Sequence, residues 1–172
     1  MKKFKSTVLF ITLSTLVLGA LSSCENKEKK ESNVQPNEFV MNAVQIRIAR
    51  PTLQLDTLVE FYQNALGLHV IGEFKNHQGY DGVMLGLPTT TYHLEFTQHE
   101  DKAPLPPPTK EHLLVLYFDN TAAYQAAVAR FEDLGIQAVA PENPYWEGKS
   151  KTYEDPDGYR IVLFDGIYQS SH

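Results

Sequence analysis

Two short polar pairs hold the side chains best suited to chemistry. Gln45 and Arg47 stand two apart in one mostly apolar run, and His93 and Glu95 stand two apart in another. Arginine presents a forked cation that suits a carboxylate or phosphate. Glutamate supplies the opposite charge, histidine exchanges a proton near neutral pH, and glutamine both donates and accepts. In a reaction, His93 or Glu95 would act as general base while Arg47 held an oxyanion. The plainer alternative is an ion pair between Arg47 and Glu95 with His93 hydrogen-bonded beside it, because an unpaired buried charge is costly. Tyr117, Trp146 and Tyr153 add flat amphipathic surface for stacking. Trp146 sits in a loop-like run, 141–147, with prolines at 141 and 144. An aromatic there either closes over a pocket or simply packs across its mouth. His69, His77 and His99 read as surface or turn residues.

The elements that must position these groups follow from periodicity. Residues 44–49 alternate, with Gln45, Arg47 and Ala49 on one side and Ile46 and Ile48 on the other, which predicts a half-buried strand. Asp56 or Thr57 is expected to cap a helix, and Thr57 with Glu60 to form a capping box. Leu58, Phe61, Tyr62 and Ala65 recur at helical spacing before Gly67 stops the helix. Strands are expected over 68–74, 83–87 and 92–97, with turns at 79–82 and 88–89. A proline-rich connector, 103–108, precedes a second strand–helix unit: strand 113–118, a cap at Asn120 or Thr121, and a helix ending at Gly135. Further strands are expected near 137–140, 149–154 and 159–164. Alternation turns Ile46, Ile48, Leu94, Phe96, Leu114, Leu116 and Phe118 toward the helices. It leaves Arg47, His93, Glu95, Leu113, Val115 and Tyr117 on the opposite face.

The chain therefore reads as one unit written twice. A shift of 68 positions carries Gly67 onto Gly135, Gln45 onto Leu113 and Glu95 onto Leu163, within the last strand. Repetition in register is strong evidence for architecture. Two βαβββ modules, a Leu-Gly-Leu/Ile helix exit in each, and Asp155-Pro156-Asp157-Gly158 before the final strand resemble the vicinal-oxygen-chelate superfamily over residues 43–164. That resemblance implies an α+β fold in which curved mixed sheets form a cup and the helices pack outside. It also implies a cup lined by Gln45, Arg47, His93, Glu95, Tyr117, Trp146 and Tyr153.

Metal-dependent members of that superfamily take ligands from the first and last strands of each module. Those places fall here at Gln45, Glu95, Leu113 and Val162, and two of the four are hydrocarbon. His112 would replace Leu113 only if the strand slipped by one residue, through a bulge. If a divalent metal were held, Gln45, Glu95 and His112 would be its ligands. His93 would join Glu95 only with favourable rotamers. Zn²⁺, Fe²⁺ and Ni²⁺ prefer three or four good donors, so the expectation is no metal and no other cofactor. Three functions stay open: a metal-free binder of a small organic molecule, similar to the bleomycin-resistance branch, whose members usually dimerise; a lyase or isomerase of the glyoxalase type with an atypical metal set; and a structural envelope domain whose cup is only core.

The remaining sequence concerns location. Lys2, Lys3 and Lys5 precede an apolar tract, 7–21, and Leu21-Ser22-Ser23-Cys24 follows. This reads as a signal peptide over 1–23, and Leu21-Ser22-Ser23-Cys24 resembles the bacterial lipobox, which implies lipidation at Cys24. Cys24 is the only cysteine, so an intrachain disulfide is excluded. Residues 24–42 read as a charged flexible tether. The parts that follow are a first module (43–102), a connector (103–111), a second module (112–166) and a tail (167–172). The expected location is the cell envelope, periplasmic or at the outer surface, with the membrane reached through the lipid. Net charge is −6, and −9 without the three leader lysines. Such a charge disfavours nucleic acid as a partner.

Overall fold

The computed structural model describes residues 41, 43–87 and 89–170. The expected signal peptide, Cys24 and nearly all of the tether lie outside the described residues. The first module runs β1 (Ile46–Pro51), α1 (Leu55–Leu66), β2 (His69–His77), β3 (Tyr80–Gly86) and β4 (Tyr92–His99). Its four-stranded sheet has the order β1-β4-β3-β2, with β1 parallel to β4 and the other neighbours antiparallel. The second module runs β5 (Leu113–Phe118), α2 (Thr121–Asp133), β6 (Ser150–Glu154) and β7 (Arg160–Asp165), in the sheet order β5-β7-β6. Again the first and last strands are parallel. Each module thus has a mixed sheet with one helix, and the fold is α+β.

The two modules differ in one strand. Where 137–140 was expected to pair, only a single bridge forms, between Val139 and Thr152. Pro141 follows at once; it has no N–H to extend a ladder. The chain instead makes a short 3₁₀ turn, Pro144–Trp146, started by the Asn143 side chain accepting from the Tyr145 N–H.

The helix ends show which local signals mattered. Gly67 and Gly135 both take left-handed φ, 66° and 72°, as glycine does most cheaply. Asn120 caps α2, its Oδ1 accepting from the Ala122 and Ala123 N–H groups. The start of α1 departs from expectation. The helix begins at Leu55, before Asp56 and Thr57, and its N-cap, Gln54, makes no side-chain cap bond. An orphan donor of the first turn is satisfied from another element: the Leu55 N–H donates to Gln98 Oε1 at 3.3 Å.

One core serves both modules. Leu55, Leu58, Tyr62 and Ala65 from α1 pack with Leu85, Leu94 and Phe96. Phe131 from α2 packs with Tyr153, Ile161 and Leu163 in the same cluster. Phe61 and Phe131 meet edge to face across the two helices, ring centroids 6.2 Å apart. Leu94 and Phe96 therefore face the helices, as their alternation requires. Ile46 and Ile48 share that side by parity but remain 61% and 54% exposed. Their strand lies at a sheet edge, and β5, the edge of the other sheet, does not pair with it.

Candidate functional site

The parallel β1–β4 ladder sets Arg47 opposite His93 and Ala49 opposite Glu95. Side chains on one pleat face then converge. The Arg47 guanidinium lies between two partners, Nε donating to His93 Nε2 at 2.9 Å and Nη1 reaching Glu95 Oε2 at 2.7 Å. His93 and Glu95 are buried, while the Arg47 side chain is 52% exposed. The cation thus presents an open face above a buried acceptor pair. Gln45 lies exposed just before β1.

This geometry fixes the state of the histidine. A guanidinium only donates, so His93 Nε2 must offer its lone pair. The ring proton of the neutral imidazole is then on Nδ1. Nδ1 is buried and finds no hydrogen-bond partner among the described residues. A buried donor without a partner costs about 1–3 kcal/mol and invites an acceptor.

The floor beside this trio is built on glycine. Gly72, Gly82 and Gly86 lie next to Met84, Phe74 and Ile71. A Cβ on Gly82 would lie 2.3 Å from Phe74 Cζ, and one on Gly72 would lie 2.8 Å from Met84 Cε. Gly86 pairs with His93 in the ladder, and a Cβ there would lie 3.3 Å from Ile71 Cδ1. The backbone is bare at these points so that those larger side chains can lie across it.

The expected aromatic residues belong to the second module and do different jobs. Tyr117 is exposed against Phe164, ring centroids 5.4 Å apart. Trp146 is half-buried, edge-on to Phe164 at 6.0 Å. The loop around Trp146 covers Thr152, Arg160 and Val162, which line one small recess with it. Tyr153 was expected in the cup, but it stacks on Phe131 at 4.1 Å in the helix-side core and is buried. Its hairpin partner is Ile161, a core residue, so it must share that face. Burial pushes its hydroxyl up to about 12.

The four positions to which the resemblance assigned metal ligands, Gln45, Glu95, Leu113 and Val162, do not fit a divalent cation. Leu113 and Val162 are hydrocarbon, and Val162 is fully buried. Glu95 is already engaged by Arg47. His112 turns the other way: its ring stacks on Tyr159 at 5.8 Å and its Nδ1 accepts from the Thr109 N–H. Among the described residues, no group of three or more His, Cys, Asp or Glu side chains is placed to share an ion.

A second cluster was not visible in the sequence. The Asp155 side chain, fully buried, takes the Arg50 guanidinium and the Tyr62 hydroxyl on Oδ2, the latter at 2.9 Å. Its Oδ1 accepts the Asp157 and Tyr159 N–H groups. Arg50 also lies over the Tyr159 ring, 3.8 Å from its centroid. Burial raises the Tyr62 hydroxyl pKa, with Arg50 opposing. The turn of one module is thereby clamped to the first strand and helix of the other. The sequence marked Asp155 only as the start of the Asp155-Pro156-Asp157-Gly158 turn, and parity puts Arg50 on the same side as Ile46 and Ile48.

Two sheets of this order, each with its first and last strands parallel and one helix on the outer side, make up the vicinal-oxygen-chelate fold. The YycE-like N-terminal domain matches residues 46–97 and the YycE-like C-terminal domain matches residues 111–165. The uncharacterized protein YycE of Bacillus subtilis (strain 168) is 51% identical over 123 residues, covering 72% of this chain and 88% of that one. The chain belongs to the YycE-like family. A 2.0 Å crystal structure of a Bacillus subtilis YycE protein of unknown function, with a provisional description as a glyoxalase/fosfomycin resistance protein, superposes with a TM-score of 0.70 at 49% identity. It covers 76% of this chain and 95% of its own. Trypanothione-dependent glyoxalase I of Leishmania major is similar at a TM-score of 0.56 and 21% identity, covering 70% of this chain and 85% of its own. TnmS3, an antibiotic-binding protein from Streptomyces sp. CB03234, is similar at 0.55 and 20%, covering 76% and 100%. At those two identities the likeness is one of fold.

Proposed function

We propose that this protein binds a small organic molecule at the face made by Arg47, His93 and Glu95, without a tightly held metal. One observation carries the reading: a buried His93 Nδ1–H with no partner among the described residues, beside an arginine with an open side. A ligand oxyanion or carbonyl would satisfy the first and pair with the second. Binding is favoured over catalysis because the one lone pair of His93 is taken by Arg47. The Glu95 carboxylate is also already paired. Neither group stands ready to take a proton from a substrate. Lipidation at Cys24 would hold the domain at an envelope membrane, several acyl chains contributing about 0.8 kcal/mol per buried methylene.

The test combines two measurements on the purified protein. Elemental analysis after incubation with Ni²⁺, Zn²⁺ or Mn²⁺ is expected to find no stoichiometric metal. A thermal-shift screen of small carboxylates and phosphonates is expected to find a stabilising compound, worth about 2.7 kcal/mol at a hundredfold excess over Kd. That shift should vanish in Arg47→Ala. One equivalent of metal, or a shift that survives Arg47→Ala, overturns the reading. Cell fractionation of Cys24→Ser tests the anchor, with release from the membrane fraction expected.

A further inference from the structure

A large cavity lies on the helix side of the sheets, and Arg47 does not line it. About 610 Å³ opens between the modules, beneath the C-terminal end of α1 and beside α2. Leu66, Leu68, Leu85, Leu114, Leu116 and Phe118 are among the residues that line it. The volume is that of a ligand site and far exceeds an ordinary packing void. It exists because β5, an edge strand, does not close against the first sheet. Among its lining residues, which are mostly apolar but include Tyr92 and Tyr117, one is a cation: Arg130, in the last turn of α2. Its Nε donates to the Asn64 carbonyl at 2.5 Å, which fixes the guanidinium against α1. No carboxylate lies within ion-pair distance of it among the described residues.

We infer that this cavity is a second binding site, for a hydrophobic carboxylic acid whose tail fills the leucine-rich cleft and whose carboxylate meets Arg130. Two effects compete at the head group. The C-terminal end of α1 repels an anion, and the guanidinium attracts one. The helix-end field is screened at an exposed rim, and Arg130 already covers one of its carbonyls. The charge-assisted hydrogen bond is the stronger term. The tail gains by leaving water for a surface that is already apolar. Arg47, His93 and Glu95 do not line this cavity.

Calorimetric titration of the full protein with dodecanoate, below its micelle-forming concentration, tests the assignment. Dodecyltrimethylammonium serves as the charge-reversed control. Dodecanoate is expected to bind about tenfold or more tightly than the cation, the scale of one charge-assisted contact. Arg130→Gln, at a solvent-exposed position, should erase that preference and lower the melting temperature only slightly, through loss of the hydrogen bond to the Asn64 carbonyl. Ala127→Trp, which fills the cleft from α2, should abolish binding of both amphiphiles. Ala126→Leu provides a milder filling and should weaken both if the tryptophan variant fails to fold. Arg47→Ala should leave dodecanoate binding intact. No binding, or binding that Arg47→Ala removes and Arg130→Gln does not, overturns the second site and leaves the first to be judged by its own test.

Discussion

Replacing Asp155 by asparagine should unfold this protein far more easily than its turn position suggests. The substitution keeps the shape and leaves Oδ1 accepting the Asp157 and Tyr159 N–H groups. It changes Oδ2 into a donor that faces two other donors, the Arg50 guanidinium and the Tyr62 hydroxyl. Removing one partner of a buried ion pair costs about 3–5 kcal/mol. Arg50 keeps its aromatic neighbours, the Tyr159 ring at 3.8 Å and the Phe96 ring at 4.9 Å, worth about 1–2 kcal/mol that is not lost. The expected cost of Asp155→Asn is therefore near the lower end, about 3 kcal/mol. Arg50→Met should cost about 2 kcal/mol, because Asp155 retains three donors. The double variant should cost clearly less than the sum, with a coupling of at least about 1.5 kcal/mol. Urea unfolding with a double-mutant cycle measures all three. A loss below about 1 kcal/mol for Asp155→Asn, or effects that add within about 0.5 kcal/mol, would refute the clamp.

Gly82→Ala should cost about 1–3 kcal/mol by overpacking against Phe74, and Gly82→Ala with Phe74→Leu should recover most of it in the same unfolding assay. Arg47→Ala and Glu95→Gln should couple by only about 1 kcal/mol, since the arginine side chain is half in water; a coupling above about 3 kcal/mol would mark a structural pair instead. Alkali should destabilise the fold. Burial raises the Tyr62 and Tyr153 hydroxyls, so above about pH 10 the unfolded chain holds fewer protons than the folded one. Stability then falls by about 1.4 kcal/mol per pH unit for each, from about pH 10 through the Tyr153 value of about 12. Tyrosinate absorbance should show these rings titrating late, and two ordinary titrations near pH 10 would contradict the burial argument.

Much of the fold was legible because its signals are local. The strand expected at 113–118 is found with those bounds, since Leu114, Leu116 and Phe118 alternate without interruption. The same pleat argument placed Arg47, His93 and Glu95 on one face, where they meet. Tyr153, expected in the cup, lies in the helix-side core, and one count would have placed it there. The hairpin that turns at 155–158 pairs Glu154 with Arg160, hence Tyr153 with Ile161, and so assigns its side. The exposure of Ile46 and Ile48, and the cleft beside β5, depend on how two sheets meet. No alternation within a strand encodes that. The Arg50–Asp155 clamp was hidden for the same reason, since its partners stand 105 positions apart and each alone looks ordinary.

The bare backbone at Gly72, Gly82 and Gly86 has a consequence for how this surface can change. Its relief is sculpted by three movable side chains, Met84, Phe74 and Ile71, while the main chain beneath stays level. Exchanging any one of them would reshape the sheet face that carries His93 and leave the ladder hydrogen bonds alone. A scaffold of that kind can swap its preferred guest by single amino-acid steps, with the strand framework as a constant mould.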